Sequence, residues 1–107
     1  MKDLASTAPE QHFALLREIY RASVGNTSVG LGPAHLRDCA RRASLSGSEG
    51  DLAIEWLLGK GLVDRRDVRG GIYMSHAGVK EIEDSFARPE DGTAHFPASV
   101  TRAIATR

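Results

Sequence analysis

The stretch Ser48–Ser75, SEGDLAIEWLLGKGLVDRRDVRGGIYMS, contains the strongest structural pattern in this sequence. Its apolar run LAIEWLL is too dense for a solvent-exposed helix, and it is followed by Gly59 and Gly61, where a helix would end. Leu62–Val63 and Ile72–Met74 have the composition of β-strands, and the charged, glycine-ended segment between them is typical of a hairpin turn. The stretch therefore predicts a helix, a strand, a turn and a second strand.

Size and charge limit the class of protein. A chain of 107 residues is long enough for one domain with a modest core. Its apolar content of 41% and charged content of 26% are ordinary for a globular domain and argue against global disorder. Fourteen basic and fourteen acidic residues cancel, so any basic patch for a nucleic acid must be local.

The sequence also predicts a cytoplasmic protein. No apolar run approaches the roughly 20 residues of a membrane helix. The first residues, MKDLASTAPEQ, include Asp3 and lack the apolar segment of a secretory signal. The single cysteine, Cys39, excludes an internal disulfide and fits a reducing compartment.

Three further helices are predicted around the central stretch. Thr7 and Glu10 have the spacing of a capping box for a first helix that ends near Gly25. Pro33–Ala43 is predicted as a second helix, preceded by a loop with a short extended piece around Val29. The expected core positions are Phe13, Leu16, Ile19 and Tyr20 in the first helix, Leu36, Cys39, Ala40 and Ala43 in the second, and Val79, Ile82 and Phe86 in the last.

Serines are expected to open the later helices. Ser46 or Ser48 is the predicted N-cap of the third helix, and Ser75 that of the fourth, which Pro89 closes. The predicted layout is a lead-in over residues 1–8, a domain over 9–88, and a flexible tail or linker over 89–107. This last segment is rich in turn formers and then weakly amphipathic.

Two motifs resemble the winged helix-turn-helix superfamily. LLGKGLV at Leu57–Val63 resembles the pattern L-x-x-x-G-L-I/V that ends the third helix and begins the wing, and MSHAGVKEI at Met74–Ile82 resembles the L-T-x-x-G-x-x-x-I entry into the last helix. The resemblance covers about residues 9–88. It implies a mainly α fold with a small β-hairpin: a three-helix core, a two- or three-stranded wing and an additional C-terminal helix. Asp91–Pro97, DGTAHFP, is similar to a segment that follows such domains in some bacterial proteins.

The resemblance implies double-stranded DNA as the partner and transcription regulation as the role. Winged helices commonly place their third helix in the major groove and their wing on the backbone or in the minor groove. A single copy with few cations would need a second copy for affinity, which predicts a homodimer. The candidate nucleic-acid-binding residues are Arg37, Arg41, Arg42, Ser48, Lys60, Arg65, Arg66 and Arg69.

The third helix itself favours an alternative. The resemblance places Ala53, Ile54, Leu57 and Gly61 toward the core. The outer face is then Ser48, Glu49, Leu52, Glu55, Trp56 and Gly59, which is acidic and apolar and contains no cation for bases or phosphates. The alternative function is therefore a protein-interaction or oligomerisation module that uses Glu49, Leu52, Glu55 and Trp56, or the C-terminal tail. Trp56 has two interpretations: a core aromatic between the third helix and the wing, or an exposed partner of Leu52.

The sequence does not predict an enzyme. Its four histidines, His12, His35, His76 and His95, lack a metal-ligand spacing, and we expect the first two at the surface. The glycine-rich segments lack the context of a phosphate loop, and neither a metal nor a cofactor is expected. Cys39 is interpreted as a helix-packing residue in preference to a reactive thiol.

Overall fold

A computed structural model describes residues 7–25, 34–65 and 71–105. This part of the chain is mainly helical, with one small antiparallel sheet. Its elements are α1 (Ala8–Gly25), β1 (Ala34–His35), α2 (Leu36–Arg42), α3 (Gly47–Gly59), β2 (Val63–Arg65), β3 (Gly71–Met74), α4 (His76–Ala87) and α5 (Ala98–Ala105).

Side-chain caps confirm three of the predicted helix starts, those of α1, α3 and α4. The backbone N–H of Glu10 donates to Thr7 Oγ1 over 3.3 Å, and the Glu10 carboxylate accepts from the backbone N–H of Thr7. Ser46, one of the two candidates, caps α3 in a full capping box with Glu49. Ser75 accepts from the N–H of Gly78 over 3.0 Å. Each cap satisfies donors that a helix leaves unpaired at its start.

The sheet has the order β1-β3-β2, with both pairs antiparallel. Val63 lies opposite Met74, which confirms the predicted hairpin, but β2 continues through Asp64 to Arg65, two residues expected in the turn. Ala34 lies opposite Ile72 from the other side. The predicted helix from Pro33 is corrected here, because Ala34–His35 pairs with β3 and α2 begins only at Leu36. The extended piece expected around Val29 lies outside the described residues.

The core is built around α1, against which α2, α3, α4 and α5 pack. Its largest fully buried side chains are Phe13, Leu15, Leu16, Ile19, Ile54, Leu57, Leu62, Val63, Ile72, Ile82, Phe96 and Ile104. A Cβ added to Gly78 would lie 2.0 Å from the carbonyl oxygen of Leu62, so glycine is what allows α4 to approach the start of the hairpin. Phe86, expected in the core, is instead 53% exposed and lies edge-on to Tyr20.

The segment expected to be a flexible tail from residue 89 is corrected by its packing. Phe96 is buried 4.9 Å from the ring of Phe13, and Val100 and Ile104 are buried along α5. An Arg17 guanidinium donates over 2.8 Å to the carbonyl oxygen of Ile104 at the end of α5. Residues 96–104 therefore complete the same core as α1.

Candidate functional site

The three candidate arginines of α2 do not form one cluster. Arg37, Arg41 and Arg42 are all exposed. Arg37 and Arg41 are four residues apart and share one side of the helix, whereas Arg42 is about 100° further round. Arg41 pairs with Asp38 at 3.1 Å, while Arg37 has no ion-pair partner among the described residues. The structure thus brings together Arg37 and Arg41, with Arg37 the freer of the two.

A cavity of about 500 Å³ separates this side of α2 from the first turns of α3. We call it the α2–α3 groove. Its lining residues are His35, Leu36, Arg37, Ala40, Arg41, Leu45, Gly47, Gly50 and Asp51. A Cβ on Gly50 would lie 2.9 Å from that of Ala40, so glycine allows α3 to pack closely on α2 there. The groove combines an apolar surface with two arginines and one carboxylate.

The exposed side of α3 lacks cations. Ala53, Ile54 and Leu57 are buried as expected, whereas Gly61, expected beside them, is exposed. The exposed residues of the helix are Gly47, Ser48, Asp51, Leu52, Glu55 and Gly59, and Leu52 has 72% of its surface exposed. Two carboxylates on this face oppose the approach of a phosphate backbone, and no arginine, lysine or amide side chain is present to contact bases.

Glu49 differs from its predicted place on this outer face. It is half-buried, because its carboxylate accepts from the N–H of Ser46 over 2.8 Å and from Gln11 Nε2 over 3.4 Å. Glu49 therefore serves the capping box and the contact between α1 and α3. Ser48, in contrast, is exposed, and its hydroxyl lies 3.4 Å from that of Ser46.

Trp56 packs toward α1 and the C-terminal segment. Its ring stacks on His12 with centroids 4.5 Å apart and an interplanar angle of 21°, and it lies 5.5 Å from Phe96. Lys60 Nζ lies 5.6 Å from the centroid of the Trp56 ring. This candidate DNA-binding cation at the end of α3 is therefore engaged in a cation–π interaction. The expected position between α3 and the wing is corrected, and of the Leu52–Trp56 pair only Leu52 is fully at the surface.

His12 is half-buried by this stack, contrary to the expected surface position. Its Nδ1 is buried without a hydrogen-bond partner in the described structure, and burial lowers the pKa of the imidazole. Desolvation disfavours the charged ring, so the neutral form is the one that packs here.

The predicted wing arginines lie largely outside the described residues. Arg65 belongs to β2 by its backbone, but its side chain, Arg66 and Arg69 are not described. The register nevertheless relates the hairpin to α2, because Gly71, the first residue of β3, lies opposite His35, the residue before α2. The exposed start of α2 and the return of the hairpin thus share one end of the sheet.

The sequence did not predict that the carboxylate of Glu81 is buried among hydrogen-bond donors. Glu81 of α4 is 5% exposed and accepts hydrogen bonds from the Thr93 hydroxyl and from the backbone N–H of His95. Its second oxygen lies 3.0 Å from His95 Nδ1. The only sequence feature that pointed to these contacts was the polar segment DGTAHFP, which contains Thr93 and His95. Glu81 therefore joins α4 to the turn before α5.

Cys39 is 1% exposed between α2 and the core, which confirms its packing role. Burial, reinforced by Glu18, raises the pKa of its thiol to about 11. A thiol that stays protonated is a poor nucleophile and a poor metal ligand.

Neither a metal cluster nor a membrane-spanning helix is found in the described part of the chain. Within residues 7–25, 34–65 and 71–105 there is neither a group of three or more His, Cys, Asp or Glu side chains placed for a metal nor a helix long and apolar enough to span a membrane. Comparison with models of protein families, with curated proteins and with solved structures finds no match. The function is therefore inferred from the chain's own surface.

Proposed function

We propose that this chain is a winged helix-turn-helix protein that binds double-stranded DNA and acts as a cytoplasmic, bacterial transcription regulator. The order of its elements supports the fold: α2 and α3 are joined by residues 43–46, and the β2–β3 hairpin follows α3 directly. The third strand, β1, precedes α2 and pairs with the hairpin. In this proposal α3 is the helix of the helix-turn-helix and the hairpin is the wing.

The observation that carries the DNA-binding proposal is the exposed pair Arg37 and Arg41 at the end of the sheet where β3 begins. The sequence supplies three more arginines: Arg65 at the end of β2, and Arg66 and Arg69 between β2 and β3. Guanidinium groups are strong donors to phosphate oxygens, and contacts of this type supply affinity without sequence readout. DNA is therefore approached by α2 and the wing.

The proposal assigns a different role to α3 from the usual one. Asp51 and Glu55 are exposed on α3, so a deep entry of this helix into the major groove would bring two carboxylates toward phosphates. Contact through one edge of the domain leaves few phosphates per copy. A homodimer that presents two such edges would double the contacts, which is why we include dimerisation in the proposal.

The test is anisotropy of labelled random and genomic duplexes at low salt. Binding that weakens steeply with salt is expected, and absence of binding at tens of micromolar protein would overturn the proposal. An Arg37→Ala/Arg41→Ala variant should bind more weakly. The matched control is Lys80→Ala, which removes an exposed cation of α4 that pairs with Asp84 at 3.0 Å.

A second candidate function is a protein-interaction or oligomerisation module, and the exposure of Leu52 beside Asp51 favours it. A large apolar side chain flanked by charges is typical of a docking surface. Sedimentation at several concentrations tests the oligomer directly. If Leu52→Ala leaves the association state of the chain and its captured partners unchanged, this candidate fails.

A further inference from the structure

The α2–α3 groove has the size and lining of a small-molecule site. Its volume of about 500 Å³ lies within the roughly 300–1,000 Å³ typical of ligand pockets. Leu36, Ala40 and Leu45 supply an apolar surface, and the first two are followed along α2 by Arg37 and Arg41. A mainly apolar cavity with a few charged groups fixes the orientation of a ligand that has both characters.

Two glycines shape the groove: Gly47 leaves open space, whereas Gly50 lets α3 approach Ala40 of α2. Gly47 and Gly50 line it from α3 and present no side chain. A Cβ built on Gly47 meets no atom within 4 Å, so there is free space in front of this residue. Side chains at Gly47 would therefore enter open volume without disturbing the packing of α3.

The charges of the groove select the ligand. Arg41 is already paired with Asp38, which leaves Arg37 as the guanidinium available for a carboxylate. Asp51 lines the same groove and disfavours a second negative group. We propose that the α2–α3 groove binds a small monocarboxylate with an apolar body, with the carboxylate on Arg37 and the body on Leu36, Ala40 and Leu45.

Occupation of the groove has a consequence that rests on the proposed function. Arg37 and Arg41 are the same groups that we assign to the phosphate backbone. A carboxylate on Arg37 neutralises one of these contacts, and its apolar body lies between α2 and α3. The ligand and DNA therefore compete, and the ligand acts as an inducer that releases DNA.

The direct test uses the whole chain and needs no DNA. We would titrate phenylbutyrate, indolepropionate and octanoate, and their neutral amides, to about 5 mM, where even millimolar affinity is detectable, and follow backbone amides by NMR. Saturable shifts confined to residues 35–51 are expected for a carboxylate, with about tenfold weaker binding of its amide, because a charge-assisted hydrogen bond is lost.

Two variants separate charge from shape. Arg37→Gln should weaken binding of the carboxylate about tenfold and leave binding of the amide unchanged. Gly47→Leu should abolish binding of both by filling the groove, while Lys80→Gln should change neither. Absence of saturable groove shifts with all three carboxylates, or equal affinity for acid and amide, would overturn the proposal. Groove shifts that grow with protein concentration alone would also overturn it, since a second copy would then be the occupant.

A competition experiment distinguishes this inference from the proposed function. Saturating carboxylate should weaken DNA binding of the wild-type chain about tenfold and have no effect on Gly47→Leu. If groove shifts occur but DNA is not bound at any salt, the proposed function fails while the ligand site stands. If DNA is bound and the carboxylate does not weaken it, the competition is overturned.

Discussion

The neighbouring helices α2 and α3 are alike on their inner sides and opposite on their outer sides. Inside, both present small or apolar groups to the core, Cys39 and Ala40 from α2 and Ile54 and Leu57 from α3. Outside, α2 exposes arginines, whereas α3 exposes carboxylates and Leu52. Packing constrains the inner sides of any two helices in this position, so the outer sides are where the chain differs from a generic DNA reader.

The largest expected effect compares the two sides of α3. Leu57→Ala should reduce the free energy of unfolding by about 2–5 kcal/mol, because it removes a fully buried side chain and leaves a cavity. Leu52→Ala should change it by less than about 0.5 kcal/mol, since Leu52 is at the surface. Urea unfolding followed by circular dichroism measures both. A large loss for Leu52→Ala would mean that α3 buries a face this structure leaves open.

The next effect compares the outer sides of α2 and α3. Arg37→Ala/Arg41→Ala should weaken DNA binding at least about tenfold and reduce the salt slope by about one to two, because phosphate contacts are lost. Asp51→Asn/Glu55→Gln should strengthen binding, because repulsion from the phosphates falls. Anisotropy at several salt concentrations measures both. Equal behaviour of the two double variants would remove the distinction between the helices.

A smaller effect separates the two serines at the start of α3. Ser46→Ala should cost about 1 kcal/mol, because Ser46 Oγ accepts from the N–H of Glu49 over 3.2 Å. Ser48→Ala should be close to neutral in stability, and any change it makes in DNA affinity would identify Ser48 as a contact. Thermal unfolding and anisotropy of the same two variants are sufficient.

A pH-dependent effect concerns the inner side of α2. The folded pKa of Cys39 is raised from 9.0 to about 11, so the folded state keeps its proton where the unfolded state loses it. The stabilisation is fully present below pH 9 and is lost as pH rises through 11. The free energy of unfolding should therefore decline over this interval more steeply in wild type than in Cys39→Ala. Parallel slopes would contradict burial of the thiol.

The features that the sequence predicts well are local. The capping box at Thr7 and the hairpin depend on residues a few positions apart and are found where expected, and Ser46, one of two candidate serines, caps α3. Three of the four buried positions that the resemblance implies for the third helix, Ala53, Ile54 and Leu57, are buried. The outer face of α3 was also predicted, except that Glu49 and Trp56 are held by α1, a contact that no local pattern reveals.

The features that the sequence misses depend on distant partners. β1 has two residues and exists only because Ile72 and Gly71 lie beside it. The packing of α5 depends on Phe13 and Arg17, more than eighty residues earlier in the chain. The groove likewise arises from the crossing of two helices at Ala40 and Gly50, a geometry that composition does not encode.

The contacts of Trp56 give the chain an intrinsic optical reporter. Trp56 is the single tryptophan, and its ring packs against His12 of α1 and Phe96 before α5. Release of residues 93–105 from the core would wet the indole and shift its emission to longer wavelength, while α3 remained intact. Protonation of His12 would lower the intensity of the same emission. The wavelength therefore reports on docking of the C-terminal segment, and the intensity reports on the charge of His12.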